Sequence, residues 1–203
     1  MELDRRIVEL DRSHRAAAVD TLATAFEDDP ALSWLIPDVA ARPARLRAFM
    51  ALVFDEHLRF GRALGTPGGE AVALWRPPGA VHKHVPVWHP GALRYVPVFR
   101  TRLPQALATD AAIRQHLPRD EDWMYLKYVG VRPDCQGKGL GGLVIREGLA
   151  QAARHGVPSV LETATESNVG LYQNLGYQVV HHWQVDPTSP RFWTMHRRAG
   201  PAA

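Results

Sequence analysis

The chain has 203 residues, of which 46% are hydrophobic and 22% are charged, as expected for a globular domain that buries a sizeable core. Its formal net charge of +3 is too small for an extended nucleic-acid-binding surface, so we expect no nucleic-acid partner. Cys135 is the only cysteine, which excludes an intrachain disulfide and a cysteine-based metal cluster.

The sequence also lacks the patterns of secreted and membrane proteins. Residues 1–6 contain charged side chains and no apolar core, unlike a secretory signal. No apolar run approaches the roughly 18 residues that a membrane-spanning helix needs. We therefore expect a cytoplasmic location and no membrane partner.

Hydrophobic periodicity predicts a first half that is mainly helical, with a hairpin in its middle. A long amphipathic helix over residues 42–60 is stopped by Gly61. Residues 80–120 read as an irregular insert with two helices. The predicted strands are 6–10, 62–65 and 70–75, and the predicted helical pieces are 11–26, 31–36, 42–60, 93–100 and 104–116.

The second half alternates between strands and helices. An apolar strand over residues 123–131 leads into a glycine-rich turn, which opens an amphipathic helix over residues 143–154. A strand at 159–163, a short helix at 168–175 and an antiparallel pair at 177–185 and 191–196 follow. This order predicts a mixed α/β sheet in one domain over residues 1–203.

The glycine-rich turn is the strongest functional signal in the sequence. It reads Gln136-Gly137-Lys138-Gly139-Leu140-Gly141-Gly142. A glycine turn at the start of a helix suits a diphosphate, because bare backbone allows close approach and the first helical N–H groups have no partner within the helix. A nucleoside-triphosphate P-loop is excluded, since its G-x-x-x-x-G-K-S/T pattern does not occur.

A dinucleotide fingerprint is a weaker interpretation of the same turn. Gly137, Gly139 and Gly142 match G-x-G-x-x-G, and Glu162 stands where a ribose-binding acid is expected. However, the glycines lie beyond the strand and not at its tip, and the flanking chain does not supply alternating strand and helix units. An NAD(P)-binding oxidoreductase therefore remains an alternative.

A third pattern carries a resemblance to a known family. Gln136, Gly139 and Gly141 fit the acetyl-coenzyme A (acetyl-CoA) signature Gln/Arg-x-x-Gly-x-Gly/Ala of the GCN5-related N-acetyltransferase (GNAT) family. The similarity is strong over residues 120–200 and diffuse before them. Further residues resemble the puromycin N-acetyltransferase branch of this family: Val129-Gly130-Val131, Pro133-Asp134, Leu161-Glu162-Thr163, Asn168, Tyr172 and Leu175-Gly176-Tyr177.

The resemblance implies a single-domain α/β fold, with a mixed, mostly antiparallel sheet flanked by helices and with splayed central strands. Residues 122–198 would bind acetyl-CoA as co-substrate, and residues 1–121 would supply the acceptor side. Within the insert, we expect aromatic and histidine side chains to help build the acceptor pocket. These are Trp88, His89, Tyr95 and Phe99.

The resemblance also implies how the cofactor is held. Backbone N–H groups of residues 136–142 would surround the diphosphate, and Lys138 would add a positive charge. An exposed N–H of Val129 or Val131, beside Gly130, would bind the pantetheine arm and the thioester carbonyl. Asn168 would contact the cofactor.

Acetyl transfer to an amine also needs a base and an acid. In the family, a tyrosine matching Tyr172 is placed to protonate the departing thiolate, and the spacing from Asn168 puts both side chains on one helix face. Glu162 ends its strand beside the splay, where burial would raise its pKa and suit it to accept the ammonium proton, directly or through water. Trp123 and Tyr125 would line the acceptor site.

These expectations amount to an acetyl-CoA-dependent N-acetyltransferase. A primary amine of a small molecule, such as a puromycin-like aminonucleoside or another amine antibiotic, would attack the thioester directly in a ternary complex. A polyamine or a peptide N-terminus stays open as acceptor, and a non-catalytic CoA-binding sensor stays open as a function. We expect a monomer or homodimer and no metal, because the histidines at positions 82, 84, 181 and 182 lack a third ligand.

Overall fold

A twisted sheet with helices on both faces organises the chain. The computed structural model describes residues 4–83, 90–119 and 122–200. The strands are β1 Val8–Glu9, β2 Arg62–Gly65, β3 Ala71–Arg76, β4 Met124–Val131, β5 Ser159–Thr163, β6 Gln178–Trp183 and β7 Phe192–Arg197. The helices are α1 Arg15–Ala25, α2 Pro30–Leu35, α3 Arg42–Phe60, α4 Val96–Phe99, α5 Leu103–His116, α6 Leu140–Arg154 and α7 Ser167–Asn174.

The seven strands lie in the order β1-β2-β3-β4-β5-β7-β6. All neighbours pair antiparallel except β4 and β5, which are parallel. This is an open, mostly antiparallel sheet in a single α/β domain, and it confirms the fold class that the sequence predicts. A doubly wound parallel sheet, which the dinucleotide interpretation would require, is not what these strands form.

Strand β3 explains how the two halves of the core are kept apart. Successive side chains of a strand point to opposite faces, so Leu74 and Trp75 belong to different clusters. Leu74 packs with α1 and α3 on one face, and Trp75 packs with α6 on the other. All six residues of β3 are buried, as expected for a central strand covered on both sides.

The central strands β4 and β5 part soon after they begin to pair. Their register covers three positions and ends with Leu126 opposite Leu161. Strand β4 nevertheless continues beside β3 as far as Val131. A shift in the β3–β4 register at the same level leaves Lys127 without an opposite residue on β3, which is a β-bulge. The splay expected from the sequence is therefore present, and it opens directly after Leu126.

Several predicted boundaries need correction. Helix α6 begins at Leu140 and not at residue 143, because Gly139 takes a left-handed conformation (φ 79°) as the N-cap and the next two glycines are already helical. The first strand shortens to Val8–Glu9, and β6 ends at Trp183. His84, Trp88 and His89 lie outside the described residues, so their expected places are not tested.

The described part of the insert folds back over the α1–α3 side of the sheet. Two 3₁₀ turns, Pro90–Tyr95 and Arg100–Arg102, flank α4 and lead into α5. Val98 and Phe99 are buried against the cluster formed by α1 and α3. Within the described residues, no helix combines the length and apolarity needed to cross a bilayer.

The contact between α6 and β3 gives a test of the packing. A Cβ atom added at Gly148 would collide with the indole ring of Trp75. We expect Gly148→Ala to lower the free energy of unfolding by about 1–3 kcal/mol, as overpacking does in a rigid core. Denaturant unfolding followed by circular dichroism measures the change.

The matched control is Gly170→Ala in α7, where an added Cβ meets no atom within 4 Å. Here alanine should stabilise the helix by up to about 1 kcal/mol. Equal stabilities of the two variants would contradict the packing of α6 on Trp75.

Candidate active site

The edge of β4 that faces the gap carries main-chain groups that β3 does not use. The N–H of Arg132 donates to the carbonyl of Glu70, 2.8 Å away, so it points toward the β3 side. Because N–H groups alternate along a strand, Val129 and Val131 direct theirs to the opposite edge. In agreement, the Val131 carbonyl accepts a hydrogen bond from Gln136 Nε2 at 3.1 Å. The N–H of Val129 therefore faces the gap that β5 leaves open.

Gly130 is explained by a neighbouring helix. A Cβ atom at this position would lie 2.9 Å from the Cβ of Ala25 and 3.3 Å from Cδ2 of Leu22. Only glycine lets α1 approach β4 this closely, whereas the bulge in the strand lies at Lys127. The contribution of the Gly130 backbone to holding a pantetheine arm stays a prediction.

The glycine-rich turn presents a run of free backbone donors. A 3₁₀ turn, Pro133–Cys135, follows β4, and Gly137 and Gly139 both adopt positive φ values of 74° and 79°. The N–H groups of residues 137–142 donate no hydrogen bond to any described residue. They are clustered at the positive end of the α6 dipole, so the turn fits a diphosphate in both geometry and charge.

Lys138 has a structural partner within the same turn. Its Nζ donates to the carbonyl of Asp134 at 2.8 Å, and its own carbonyl accepts from Arg5 Nη2 at 3.4 Å. The ammonium therefore helps close the turn. Its predicted contact with a phosphate would require it to leave or share this bond.

A cavity of about 540 Å³ opens between the splayed strands and the helices that cover them. It brings together the residues that the sequence assigned to the cofactor and to catalysis on β4, β5 and α7: Val129, Glu162, Asn168 and Tyr172. The residues of the glycine turn do not line it. The turn and the cavity are nevertheless joined by β4, which contributes Val129 to the cavity and ends just before the turn.

Tyr172 is held by α7 with only 6% of its surface exposed. Its ring meets that of Tyr177 edge-on at 6.1 Å, and its hydroxyl makes no hydrogen bond to the described residues. Burial, with a smaller effect from the Asp29 carboxylate, raises the pKa of the Tyr172 hydroxyl. The group therefore keeps its proton at neutral pH and has a free position from which to donate it.

Glu162 is a carboxyl group shut into the same cavity. Both of its oxygens are closed off from solvent, and neither has a well-formed hydrogen bond to a described residue. Burial raises the pKa of Glu162 to about 8, while the nearby Tyr125 hydroxyl and the Lys127 ammonium oppose the rise. A carboxylate with this pKa takes up and releases a proton near neutral pH, as a general base must.

Aromatic rings form one wall of the cavity, and most of them come from elements that the sequence did not connect. Phe49 lies at the centre and meets Tyr95, Phe99 and Tyr128 edge-on, with ring centroids 5.3–6.3 Å apart. Phe26 meets Tyr128 in the same way at 5.5 Å. Such a wall suits a flat apolar group.

Of the two aromatic residues that the sequence predicted from the strand before the glycine turn, only one lines the cavity. Tyr125 lines the cavity, but Trp123 is not among the lining residues and packs on His196, with ring centroids 4.6 Å apart. Lys127, which the sequence interpretation passed over, does line the cavity. The available signal was a lysine inside an otherwise apolar strand.

A family model and several solved structures are similar to this chain. The model of the acetyltransferase (GNAT) family matches residues 107–177. This segment contains the glycine turn, Glu162 and Tyr172.

Among solved structures, the chain is similar to one from Corynebacterium glutamicum described as histone acetyltransferase HPA2 and related acetyltransferase, with a TM-score of 0.71, 21% identity and 96% of each chain covered. It is also similar to the C-terminal condensation domain of Ebony in complex with beta-alanyl-dopamine (TM-score 0.67, 12% identity, 95% of this chain and 97% of that chain). A third similar structure is arylalkylamine N-acetyltransferase 2 from Aedes aegypti (TM-score 0.64, 12% identity, 96% and 99%). At these identities the likeness concerns the fold.

Proposed function

We propose that the protein is an acetyl-CoA-dependent N-acetyltransferase that acts on a primary amine of a small molecule. The observation that carries this proposal is the single cavity in which a free strand edge, a buried carboxyl and an unbonded tyrosine hydroxyl meet. Each of these groups matches one requirement of amide formation from a thioester: oxyanion stabilisation, a base and an acid.

Cofactor binding is assigned to the C-terminal half, residues 122–198. The free N–H groups of residues 137–142 would hold the diphosphate, with the Gln136 side chain fixing the turn to Val131. The N–H of Val129 would meet the pantetheine arm or the thioester carbonyl in the gap, beside Gly130. Asn168, one turn before Tyr172 on α7, would contact the bound cofactor.

The reaction follows from these positions. Glu162 takes a proton from the acceptor's ammonium group, and the neutral amine then attacks the thioester carbonyl directly. The N–H of Val129 stabilises the negative charge that develops on the carbonyl oxygen. Tyr172 gives its proton to the departing thiolate. Chemistry in a ternary complex needs no covalent intermediate on the protein.

The acceptor is assigned to the first half, residues 1–121, together with β4. The aromatic wall around Phe49 favours an acceptor with a flat apolar group, and the Glu162 carboxyl in the lining favours an amine. A puromycin-like aminonucleoside or another amine antibiotic fits this description. The names of two similar structures include an arylalkylamine and beta-alanyl-dopamine, which also contain aromatic rings. A cytoplasmic location and a monomeric or homodimeric state remain predictions.

A non-catalytic CoA-binding sensor is the second candidate. It would use the same glycine turn, but it would need neither a titrating carboxyl nor a proton-bearing tyrosine in the cavity. The buried Glu162 and Tyr172 therefore favour the enzyme. The two variants below separate the candidates, since a sensor should tolerate both substitutions.

Tyr172→Phe removes the proposed acid and keeps the ring. We expect turnover to fall more than about tenfold, while the dissociation constant for acetyl-CoA measured by calorimetry stays unchanged. Steady-state kinetics with a panel of primary amines measures the rate.

The matched control is Tyr177→Phe, because Tyr177 is also buried and its hydroxyl is hydrogen-bonded to the Ser159 hydroxyl, with the two oxygens 2.6 Å apart. This control should cost about 1 kcal/mol of stability and leave turnover near that of the wild type. If Tyr172→Phe retains full turnover, Tyr172 is not the acid.

Glu162→Gln tests the base through the pH profile. Because the pKa of Glu162 is about 8 and the active form is the carboxylate, kcat/KM of the wild type should fall as the pH drops below about 8. The variant should lose about a hundredfold in kcat/KM, and its profile should follow the acceptor amine alone. Glu166→Gln, on the exposed start of α7, is the control and should keep the wild-type profile.

The same carboxyl gives a second readout in stability. Its pKa is raised from 4.5 to about 8 on folding, so the wild type loses stability relative to Glu162→Gln as the pH rises from about 4.5 to 8. The difference should level off above that range. A constant difference in melting temperature across the range would contradict the buried, protonated state of Glu162.

A further inference from the structure

Lys127 occupies an unusual position in the cavity. It is the bulged residue of β4, and it follows directly after the last residue that pairs with β5. Its side chain lines the cavity and has no hydrogen bond or ion pair with a described residue. Burial lowers the pKa of its ammonium group, while the carboxylate of Glu56 opposes this effect and the charge of Arg76 adds to it. The Lys127 side chain is half-buried and its ammonium has no partner, so a ligand group that pairs with it gains binding energy.

Most other charged groups of the described cavity lining are already paired. Asp29 caps α2 through the N–H of Leu32 at 2.9 Å and accepts from Thr165 at 3.3 Å. Asp110 forms an ion pair with Arg114 on the same helix.

Glu56, another acidic residue of the lining, also has partners within the protein. Glu56 forms a buried ion pair with Arg76, which lies on the neighbouring strand, and accepts from the Tyr95 hydroxyl at 3.4 Å. Within the described lining, this leaves Lys127 and Glu162 as the charged side chains that lack a hydrogen-bonded partner.

Lys127 and Glu162 lie near each other without forming an ion pair. Each charge acts on the pKa of the other group, in the direction that favours both charged forms. A ligand that fills the space between them can therefore satisfy both at once, provided that it carries a cation next to an oxygen acceptor.

An α-amino group beside a carbonyl has this arrangement on adjacent carbon atoms. Its ammonium group would face Glu162, and its carbonyl or carboxylate oxygen would accept from Lys127. A simple arylalkylamine would leave the ammonium of Lys127 unpaired. A polyamine would bring a second cation toward Lys127 and Arg114, which is unfavourable.

We propose that Lys127 determines acceptor specificity by binding the oxygen atom next to the reacting amine, so that the preferred acceptors are aromatic α-amino acid derivatives. The aromatic wall around Phe49 and Tyr128 receives the side chain of such an acceptor. This inference rests on the proposed acetyltransferase function of the same cavity and narrows its substrate class.

The test compares phenylalaninamide, phenylalanine and phenethylamine as acceptors for the wild type and for Lys127→Met. The three compounds share the ring and the amine and differ in the carbonyl group. In the wild type and the variant, kcat/KM is measured for each acceptor at the same pH. Their ratio then cancels differences between the amines and any change in the protonation of Glu162, because each acceptor uses the same base.

We expect Lys127→Met to lower kcat/KM for one or both carbonyl-bearing acceptors by about tenfold to a hundredfold relative to phenethylamine, the value of a lost hydrogen bond to a charged group. Lys127→Gln, which keeps a donor, should lose less. Lys83→Met removes an exposed lysine and should leave all ratios unchanged. Melting temperatures of the three variants show whether each is folded.

The outcomes separate the two levels of the proposal. If no amine is acetylated although the protein is folded, the acetyltransferase function itself is wrong. If phenethylamine is acetylated and Lys127→Met lowers kcat/KM for all three acceptors equally, the function stands and the specificity role of Lys127 is overturned. A polyamine that exceeds all three acceptors in kcat/KM would also overturn it.

Discussion

The early separation of β4 from β5 is the constraint on which the rest of the site depends. The two strands share only three paired positions, and beyond Leu126 the edge of β4 is open. Continued pairing would cover the N–H of Val129 and leave no room for the cavity. Strand β4 does not collapse into the gap because β3 holds its other edge as far as Val131 and α1 packs closely over Gly130.

The bulge at Lys127 lies where β4 and β5 separate, and it determines which side chain of β4 enters the cavity. It places a lysine in the cavity in the middle of an apolar strand, and the Glu162 carboxyl near the end of β5 lines the same cavity. Burial raises the pKa values of Glu162 and Tyr172 and lowers that of Lys127, so each shift favours the neutral form. The Glu162 carboxyl can then exchange a proton near neutral pH. A ligand that pairs with Lys127 gains binding energy.

Much of the fold follows from local pattern. Helix α3 has the predicted bounds, since its apolar stripe, the Pro43 near its start and Gly61 at its end are all read from neighbouring residues. The glycine turn was also placed correctly. Its helix begins three residues earlier than predicted because Gly141 and Gly142, read as turn residues, take helical conformations after the left-handed Gly139.

The parts that the sequence could not give depend on contacts between distant segments. The register between β3 and β4, which creates the bulge, cannot be read from either strand alone. The close approach at Gly130 comes from α1, more than a hundred residues earlier in the chain, and a glycine inside a strand does not show which segment approaches it. The aromatic wall combines rings from α3, the insert and β4, so its position became visible only with the fold.

Amide hydrogen exchange, followed by NMR with and without saturating acetyl-CoA, tests most directly whether the open edge of β4 and the glycine turn hold the cofactor. The free N–H groups of residues 137–142 and of Val129 should exchange rapidly in the unbound protein and slow markedly when acetyl-CoA binds. The amides of β6, at the far edge of the sheet, should be unaffected. Binding of acetyl-CoA that leaves Val129 and residues 137–142 unprotected would contradict the account.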